Sequence, residues 1–463
     1  MTRRFTRRQA LAASAASLGY LYTAPASAAA RILGSNAKLR VAGIGVGGKG
    51  SSDIDDAGKF MEVVALCDID DAKLAPKAKK WPDAKTFADF RKIFDDSSLL
   101  KNIDAFVVST PDHTHALPSV LAIRNKKHVY TQKPLTHDVY EAHLLRTEAK
   151  KHGVCTQMGN QGTASNGLRR AVEMVRAGVI GPVKEVHVWT NRPIWPQAPG
   201  VTDQKPPKAA DAPKTVHWDE FVGPAPERPY AAGIHPFSWR GYLDYGTGAI
   251  GDMACHTANM AFMALKLGHP LHVAAEATDV NALTHPSSAH VKLDFPARGD
   301  MPAVTIHWYE GKKAGQKLLP PEELVAQALK LKPGKLVDSG SILVGEKGIA
   351  YSPDDYGSDV YFSTGEKADG NKLETLPKNG GGDTGQKKEW VDAIKAGKPE
   401  LALSNFDYAG LLTAAFLLGN VAIRTGKPFT WDGEACKATD LPEAAKFIRR
   451  EYRKGWDLIG YNA

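Results

Sequence analysis

Cysteine is scarce: the 463 residues contain four, Cys67, Cys155, Cys255 and Cys436, none in a CxxC spacing. That argues against a disulfide framework and against a zinc knuckle. The HExxH pattern of a helical zinc site is missing too, and no metal is expected. An uninterrupted apolar run of the ~18 residues that a membrane span needs is also lacking, so the mature protein is expected to be soluble. No internal repeat is found. Composition is ordinary, 43% hydrophobic and 24% charged, which favours neither a disordered nor a fibrous chain. A chain of this length is long enough for two or three domains and a full-sized core.

Acidic residues are absent from residues 1–28, while Arg3, Arg4, Arg7 and Arg8 are present. Thr6-Arg7-Arg8-Gln9-Ala10-Leu11 is a twin-arginine pattern. A mild apolar region follows to about Tyr22, then Ala26-Ser27-Ala28, a site suited to cleavage after Ala28. Residues 1–28 are therefore expected to be a twin-arginine signal peptide, and the mature protein to be periplasmic or otherwise exported. That route carries folded, cofactor-loaded proteins. Loss of the segment lowers the formal net charge from +8 to about +4. So small an excess gives no case for nucleic-acid binding.

What is present begins at Leu39–Ile44, an apolar run of strand length that passes directly into Gly45, Gly47, Gly48 and Gly50, with Ser51 expected to open a helix. Glycines at 45, 47 and 50 allow a tight turn, approach of a pyrophosphate to the backbone, and close helix packing. Gly43, Gly45 and Gly48 match in a second register that would shorten the strand. A second apolar run, Met61–Cys67, ends in Asp68, placed where an adenosine ribose needs an acceptor. Asp68 could instead cap a helix over Asp70–Lys80. With Asp70 close by and no arginine to hold a 2′-phosphate, NAD is favoured over NADP.

Strand and helix continue to alternate. Strands are expected at Ile103–Ser109, Lys127–Tyr130 and Val154–Met158, with helices at Ala116–Lys126 and about Asp138–His152. This predicts an α/β chain with a parallel-sheet Rossmann domain over 37–160. Each motif falls at the carboxyl end of a strand, where open α/β sheets bind ligands. Further on, Leu168–Ala177 reads as a helix stopped by Gly178, and Val183–Trp189 as a half-buried strand. Strands at Ala289–Phe295, Ala303–Trp308 and Gly340–Gly345 and helices at about Gln386–Ala396 and Tyr408–Arg424 follow. The proline-rich insert 193–236, with Trp195, Trp218, Tyr230 and then Trp239 in or just beyond it, is either a binding loop or a surface excursion. Lys312–Lys335 reads as a solvated insertion without a site.

Thr110-Pro111-Asp112-His113-Thr114-His115 and Gln132-Lys133-Pro134, downstream of the glycine loop, resemble the Gfo/Idh/MocA oxidoreductases. The resemblance extends through Gly248–His256, Asn405–Tyr408 and Leu417–Asn420. It implies a second α/β domain over 161–463, with a largely antiparallel open sheet covering the nicotinamide. It also implies that Thr110, Pro111, His115 and Gln132 lie beside the cofactor, and that Lys133 steadies the substrate oxygen. An ordinary surface lysine is the alternative. Three departures stand out: Gln132 where the family has glutamate, Ala254 where glycine is common, and Asn259 where some members carry aspartate.

Asp252 and His256, four apart in an expected helix, share a face. His256 would take a hydroxyl proton near neutral pH with Asp252 orienting the substrate or the imidazole, unless the two are merely a helix-bracing pair. His113 and His115 are read as cofactor-side loop residues or as satisfied polar side chains. The expected activity is NAD-dependent oxidation of a secondary hydroxyl on a sugar, sugar derivative or cyclitol, with a tightly held cofactor. The alternative is redox-neutral NAD-dependent glycoside hydrolysis, for which aromatic residues of the insert could stack on a glycan. A sugar-binding protein on an inherited fold is a third reading. Family members are often homo-oligomers through the open sheet.

Overall fold

The structure, a computed structural model, describes residues 38–194, 207–365, 375–378 and 381–462. The expected signal segment 1–28 and Trp195 of the insert lie outside the described residues.

Six short apolar segments form the first sheet: β1 (Arg40–Ile44), β2 (Glu62–Cys67), β3 (Lys85–Phe87), β4 (Ala105–Val108), β5 (His128–Thr131) and β6 (Thr156–Met158). Their order is β3-β2-β1-β4-β5-β6 and every neighbouring pair is parallel. Such strands are covered on both faces, which is why β4 reads Ala-Phe-Val-Val and is buried throughout. The order reverses between β1 and β4, so the loops leaving their carboxyl ends part and open a crevice. The helix after β1 spans Gly48–Ala57, three residues earlier than expected. Gly45, at φ +76°, makes the turn at once, and Gly48, at φ +49°, opens the helix.

The second sheet contains β7 (Val183–Trp189), β8 (His272–Thr278), β9 (Ser288–Phe295), β10 (Val304–Lys313), β11 (Gln316–Lys317), β12 (Gly340–Gly345), β13 (Ile349–Ser352), β14 (Tyr361–Phe362), β15 (Phe429–Asp432) and β16 (Lys437–Ala438). The order is β14-β13-β12-β7-β10-β9-β8-β15-β16, with β11 added to β10. β7 and β10 pair in parallel and the other neighbours antiparallel. This is the largely antiparallel sheet that the family resemblance implies. The region Lys312–Lys335 is not merely solvated: it holds the end of β10, β11 and an amphipathic helix, Glu322–Leu331. Ala328 is fully buried there, and Leu324 and Leu331 pack with Trp189 and Tyr351. Its lysines mask an apolar stripe at helical spacing.

One helix, Phe406–Thr425, serves both sheets. It contacts β6 of the first, β8 and β9 of the second, and the helix Val139–His152. By length and composition it could cross a membrane, yet 78% of its apolar window is buried inside the protein. An all-round apolar helix of this kind belongs to a core. Asn405 caps it by accepting from the Asp407 and Tyr408 N–H groups. Gly419 lets the neighbouring helix, Gly248–Thr257, come close: a Cβ there would lie 2.7 Å from Ile250 Cδ1.

A buried ion pair adds a second tie. Lys387, on the helix Gly382–Ala396, donates to Asp53 on Gly48–Ala57 at 2.8 Å, and both side chains are wholly buried. Ser109 Oγ and Gln132 Nε2 donate to the other Asp53 oxygen, each at 2.9 Å. Burial opposes ionisation of Asp53, but Lys387 and Lys49 outweigh it and hold the carboxyl below its ordinary range. Removing one partner strands a buried charge, whereas removing both does not. Lys387→Met should lower unfolding free energy by about 3–5 kcal/mol in urea titrations, and Asp53→Asn/Lys387→Met by clearly less. Equal losses in the single and double variants would show that the pair does not matter to stability.

Candidate active site

Gly45, Gly47, Gly48, Asp68, Thr110, Pro111, Gln132, Lys133 and Asp252 line one cleft of about 340 Å³. At one end the glycines occupy the first of the two registers. A Cβ on Gly45 would lie 2.7 Å from the Ser109 carbonyl, on Gly47 2.9 Å from Lys73, and on Gly50 1.7 Å from the Gly45 carbonyl. Gly48, the last glycine of the alternative register, faces open space. Gly50 thus packs helix on strand and does not line the cleft. Gly47 is the N-cap of its helix and no side chain caps the first turn. The free N–H groups there form a seat for a phosphate.

Asp68 Oδ2 accepts from the Gly47 N–H at 2.7 Å and Oδ1 from the Asp70 N–H at 3.0 Å. Burial pushes its carboxyl above the ordinary range, with these N–H groups offsetting part. The helix-capping role falls to Asp70, which accepts from the Ala72 N–H at 3.0 Å. Asp68 is therefore left at the mouth of the glycine turn, where a ribose diol fits. These features fit a dinucleotide.

The two histidines of the Thr110–His115 loop are buried struts. His113 spans the Tyr245 and Phe221 carbonyls at 3.2 and 2.7 Å. His115, expected beside the cofactor, does not line the cleft: its ring joins the Thr110 and Pro134 carbonyls, each at 2.7 Å. It thereby clamps the loop after β4 to the loop carrying Lys133. Burial lowers them to about 3 and about 4 respectively, with the carbonyls offsetting part. A neutral ring carries one N–H and so donates to one carbonyl of its pair, and for His115 a bond to the Pro134 carbonyl alone joins the two loops.

Lys133 Nζ donates to Asp252 Oδ1 at 2.6 Å and to the Asp252 carbonyl at 2.9 Å. Residues 119 positions apart in sequence thus meet at the floor of the cleft. An ammonium has three donors, and one remains. Burial would raise the Asp252 carboxyl, but Lys133 and Arg240 outweigh it and hold it below the ordinary range. The helix that carries Asp252 is fixed at its start. Thr247 donates from its N–H and its Oγ1 to Asp112 Oδ2 at 3.1 and 2.7 Å, and Asn420 Nδ2 donates to the Thr247 carbonyl at 2.8 Å.

His256 departs from the expected base that titrates near neutrality. It lies one turn beyond Asp252, outside the cleft lining, edge-on to Tyr356 with ring centroids 5.0 Å apart. Burial, and then Lys133, push it down to about 3, and its Nδ1 is buried without a hydrogen-bond partner. No hydrogen bond joins Asp252 and His256 among the described residues, so the pair is not a helix brace. Asp112 is the group with a charge state open to change near pH 7: burial raises its carboxyl to about 7, with Thr247 offsetting part and Asp252 adding to it. Asn259 is committed elsewhere, donating to Thr163 Oγ1 at 2.9 Å and accepting from the Tyr408 hydroxyl at 2.7 Å.

The described part of the insert walls the cleft. Asp70 bridges to Val216, and the His217 N–H donates to the Ile69 carbonyl at 2.8 Å. Phe221, Val222, Ala225, Ala231 and Ile234 form a small core with Trp239 and Tyr245, and Glu220, Phe221, His235 and Pro236 face the cleft. The aromatics expected to stack on a glycan are largely engaged with one another. Trp218 stacks on Phe221 at 4.7 Å and meets Tyr230 at 5.0 Å. Lys73 and Arg240 also line the cleft and went unnoticed in the sequence. A cation one helical turn after Asp70, and another following the aromatic pair Phe237 and Trp239, were the available signals. No cluster of three or more His, Cys, Asp or Glu side chains suited to a metal occurs among the described residues.

Comparison with known proteins places this architecture. Residues 39–160 match the family model of the GFO_IDH_MocA oxidoreductases for their NAD-binding Rossmann fold, and residues 172–292 match that for their C-terminal alpha/beta domain. A glycosyl hydrolase family 109 protein of Solibacter usitatus is 30% identical over 157 residues, 32% of this chain and 35% of its own. Myo-inositol 2-dehydrogenase of Thermotoga maritima is 23% identical over 160 residues, 34% of this chain and 47% of its own. The chain thus spans between a third and a half of the length of these curated relatives. The fold is shared with the WlbA dehydrogenase from Bordetella pertussis, solved with NADH and UDP-GlcNAcA, at TM-score 0.58 and 15% identity over 86% of this chain and 99% of that one.

Asp112 makes stability depend on pH. Its folded value of about 7 is above the ordinary 3.8. The folded state therefore keeps a proton that the unfolded chain has lost, and the contribution, full below pH 4, disappears as pH rises through 7. Asp112→Asn keeps an acceptor for Thr247 and abolishes the titration. Relative to the parent, its melting temperature should improve from pH 4 to pH 8, by a free energy on the order of 2–4 kcal/mol. A pH-independent difference between the two melting curves would refute the assignment.

Proposed function

The chain belongs to the Gfo/Idh/MocA oxidoreductase family, with an NAD-binding Rossmann domain, and from that premise we propose that it oxidises a secondary hydroxyl of a sugar, sugar derivative or cyclitol. The observation that carries this reading is the Lys133 ammonium, 2.6 Å from Asp252, on the floor of the glycine-loop cleft. Bound NAD supplies the hydride acceptor. Lys133 presents its third N–H to the substrate oxygen and stabilises the negative charge that develops there as the C–H bond breaks. Asp252 fixes the direction of that ammonium. The hydroxyl proton passes to the groups around the cleft floor. Asp112, which lines the cleft and whose carboxyl is raised to about 7, is the group placed to take it, while His256 stands one turn beyond Asp252 outside the lining.

The twin-arginine pattern supports export, and outside the cytoplasmic membrane no free NAD pool is expected. The cofactor is then retained and reset within each turnover. A second reading meets the same need: redox-neutral glycoside hydrolysis. There, oxidation of one ring carbon acidifies its neighbour, the aglycone is eliminated, water adds and the ring is reduced again. Two observations support it, the similarity to a glycosyl hydrolase family 109 protein and a second proton-carrying group, Asp112, at the cleft.

Denaturing the purified exported protein should release NAD, identified by mass spectrometry; no dinucleotide would refute tight retention. Incubation with aryl glycosides and no added NAD separates the readings, since release of the aryl group means hydrolase. On whichever substrate turns over, Lys133→Met should lower kcat by about 10²–10³-fold. An unchanged kcat would remove Lys133 from the chemistry.

A further inference from the structure

Asp252 has more cations around it than one carboxylate requires. Lys133 makes the short contact. Arg240 Nε lies 3.9 Å from Oδ1 and Arg192 Nε 4.0 Å from Oδ2. Both arginine distances are too long for hydrogen bonds. Arg192 Nε is buried and makes no hydrogen bond, although its Nη1 donates to Asn191.

Arg240 is held from behind. Its guanidinium lies 4.2 Å over the Trp239 ring and 4.6 Å from that of Phe237, and Nη1 donates to the Phe237 carbonyl at 3.1 Å. Stacking fixes the plane of the group and leaves N–H donors along its edge, while Arg240 itself lines the cleft.

The acids facing this cluster do not balance it. Asp252 is ionised, but it is shared among three cations. Burial raises Asp112 to about 7, which leaves it half protonated at neutral pH. Asp355 faces Arg192 from beyond ion-pair distance, and burial raises its carboxyl too. His256 is neutral. Lys133 and Arg240 on the cleft lining, with Arg192 at the other oxygen of Asp252, therefore outweigh these acids, and Arg192 Nε is left without a hydrogen bond. Sugar hydroxyls do not need this, since neutral donors and acceptors satisfy them, and leaving buried N–H groups unpaired is costly.

Resting on the sugar reading above, we propose that the substrate carries a carboxylate, as a uronic or other sugar acid, anchored by Arg240 with Arg192 beside it. A planar carboxylate takes two parallel N–H bonds from one guanidinium, the geometry that the stacked Arg240 offers. The anchor would hold the sugar ring with a hydroxyl at Lys133. The phosphates of the dinucleotide are the other anions at hand. Their seat is the uncapped helix start at Gly47, whereas Arg240 adjoins Asp252.

The test is calorimetric binding to the full exported protein saturated with NAD, using D-glucuronate and D-galacturonate against D-glucose and D-galactose. Uronates should bind at least about tenfold more tightly than the matched hexoses, and the advantage should shrink as salt rises. Arg240→Gln should collapse the uronate-to-hexose ratio toward one without changing the affinity for NAD. Hexoses binding as well as uronates, or a ratio that survives Arg240→Gln, would overturn the carboxylate anchor and leave the sugar reading standing. Loss of NAD affinity in Arg240→Gln would instead assign the arginine to the cofactor and overturn it as well. Should the uronates fail to bind, the carboxylate anchor falls, and turnover of a neutral sugar or cyclitol would still uphold the sugar reading.

Discussion

A lysine ammonium and an aspartate carboxylate, taken from different sheets' surroundings, meet under the cleft where little water reaches either. Neither charge could stay there without the other, because the desolvation penalty of a lone buried ion is several kcal/mol. Their contact is therefore a constraint on everything around it: the loop after β5 and the helix Gly248–Thr257 must be held to within a fraction of an ångström. The Asp252 carbonyl, which also accepts from Lys133, ties the ammonium to the backbone as well as to the side chain. That leaves its remaining donor with one direction to point.

Much of what looked like catalytic motif is the bracing for this contact. His115 joins the two loops that flank the cleft. Thr247 anchors Asp112 and is itself held by Asn420. Asn160 Nδ2 donates to the Cys255 carbonyl at 3.1 Å, which steadies the same helix from its other side. The replacement of glutamate by Gln132 has its counterpart here. The Gln132 amide donates to Asp53 at 2.9 Å, so the negative charge lies on a neighbouring helix. A glutamate at 132 would set carboxylate against carboxylate.

The Rossmann half was legible because its signals are local. Apolar runs of strand length, glycines at a turn and an acid at the end of β2 are short-range chemistry, and those strands and helices lie within a few residues of where the spacing put them. The Lys133–Asp252 approach was legible only through resemblance, since no local pattern says that residues 133 and 252 touch. The charge state of His256 was not legible, because it depends on how many groups bury the ring. Asp112 stood inside the Thr110–His115 motif, yet its raised carboxyl arises from burial, with the Asp252 charge adding to it and the Thr247 hydrogen bond offsetting part. The helix Glu322–Leu331 was hidden by the lysines that flank it, which draw attention from its apolar stripe.

The cleft's electrostatics form a single coupled system. Burial is the first cause that keeps His256 neutral, and the Lys133 charge is the second. Lys133 is also the leading influence that keeps Asp252 ionised against burial. One cation thus holds an acid charged and a base uncharged a helical turn apart. A negative charge arriving on the cleft floor, whether carried by the substrate or developing on its oxygen, offsets that cation as seen from the imidazole. The field that disfavours protonating His256 weakens at the stage when a proton has to be accepted. Burial, the larger cause, is untouched by that offset, so the ring stays a neutral neighbour of Asp252 and proton transfer falls to Asp112, whose carboxyl is already raised to about 7.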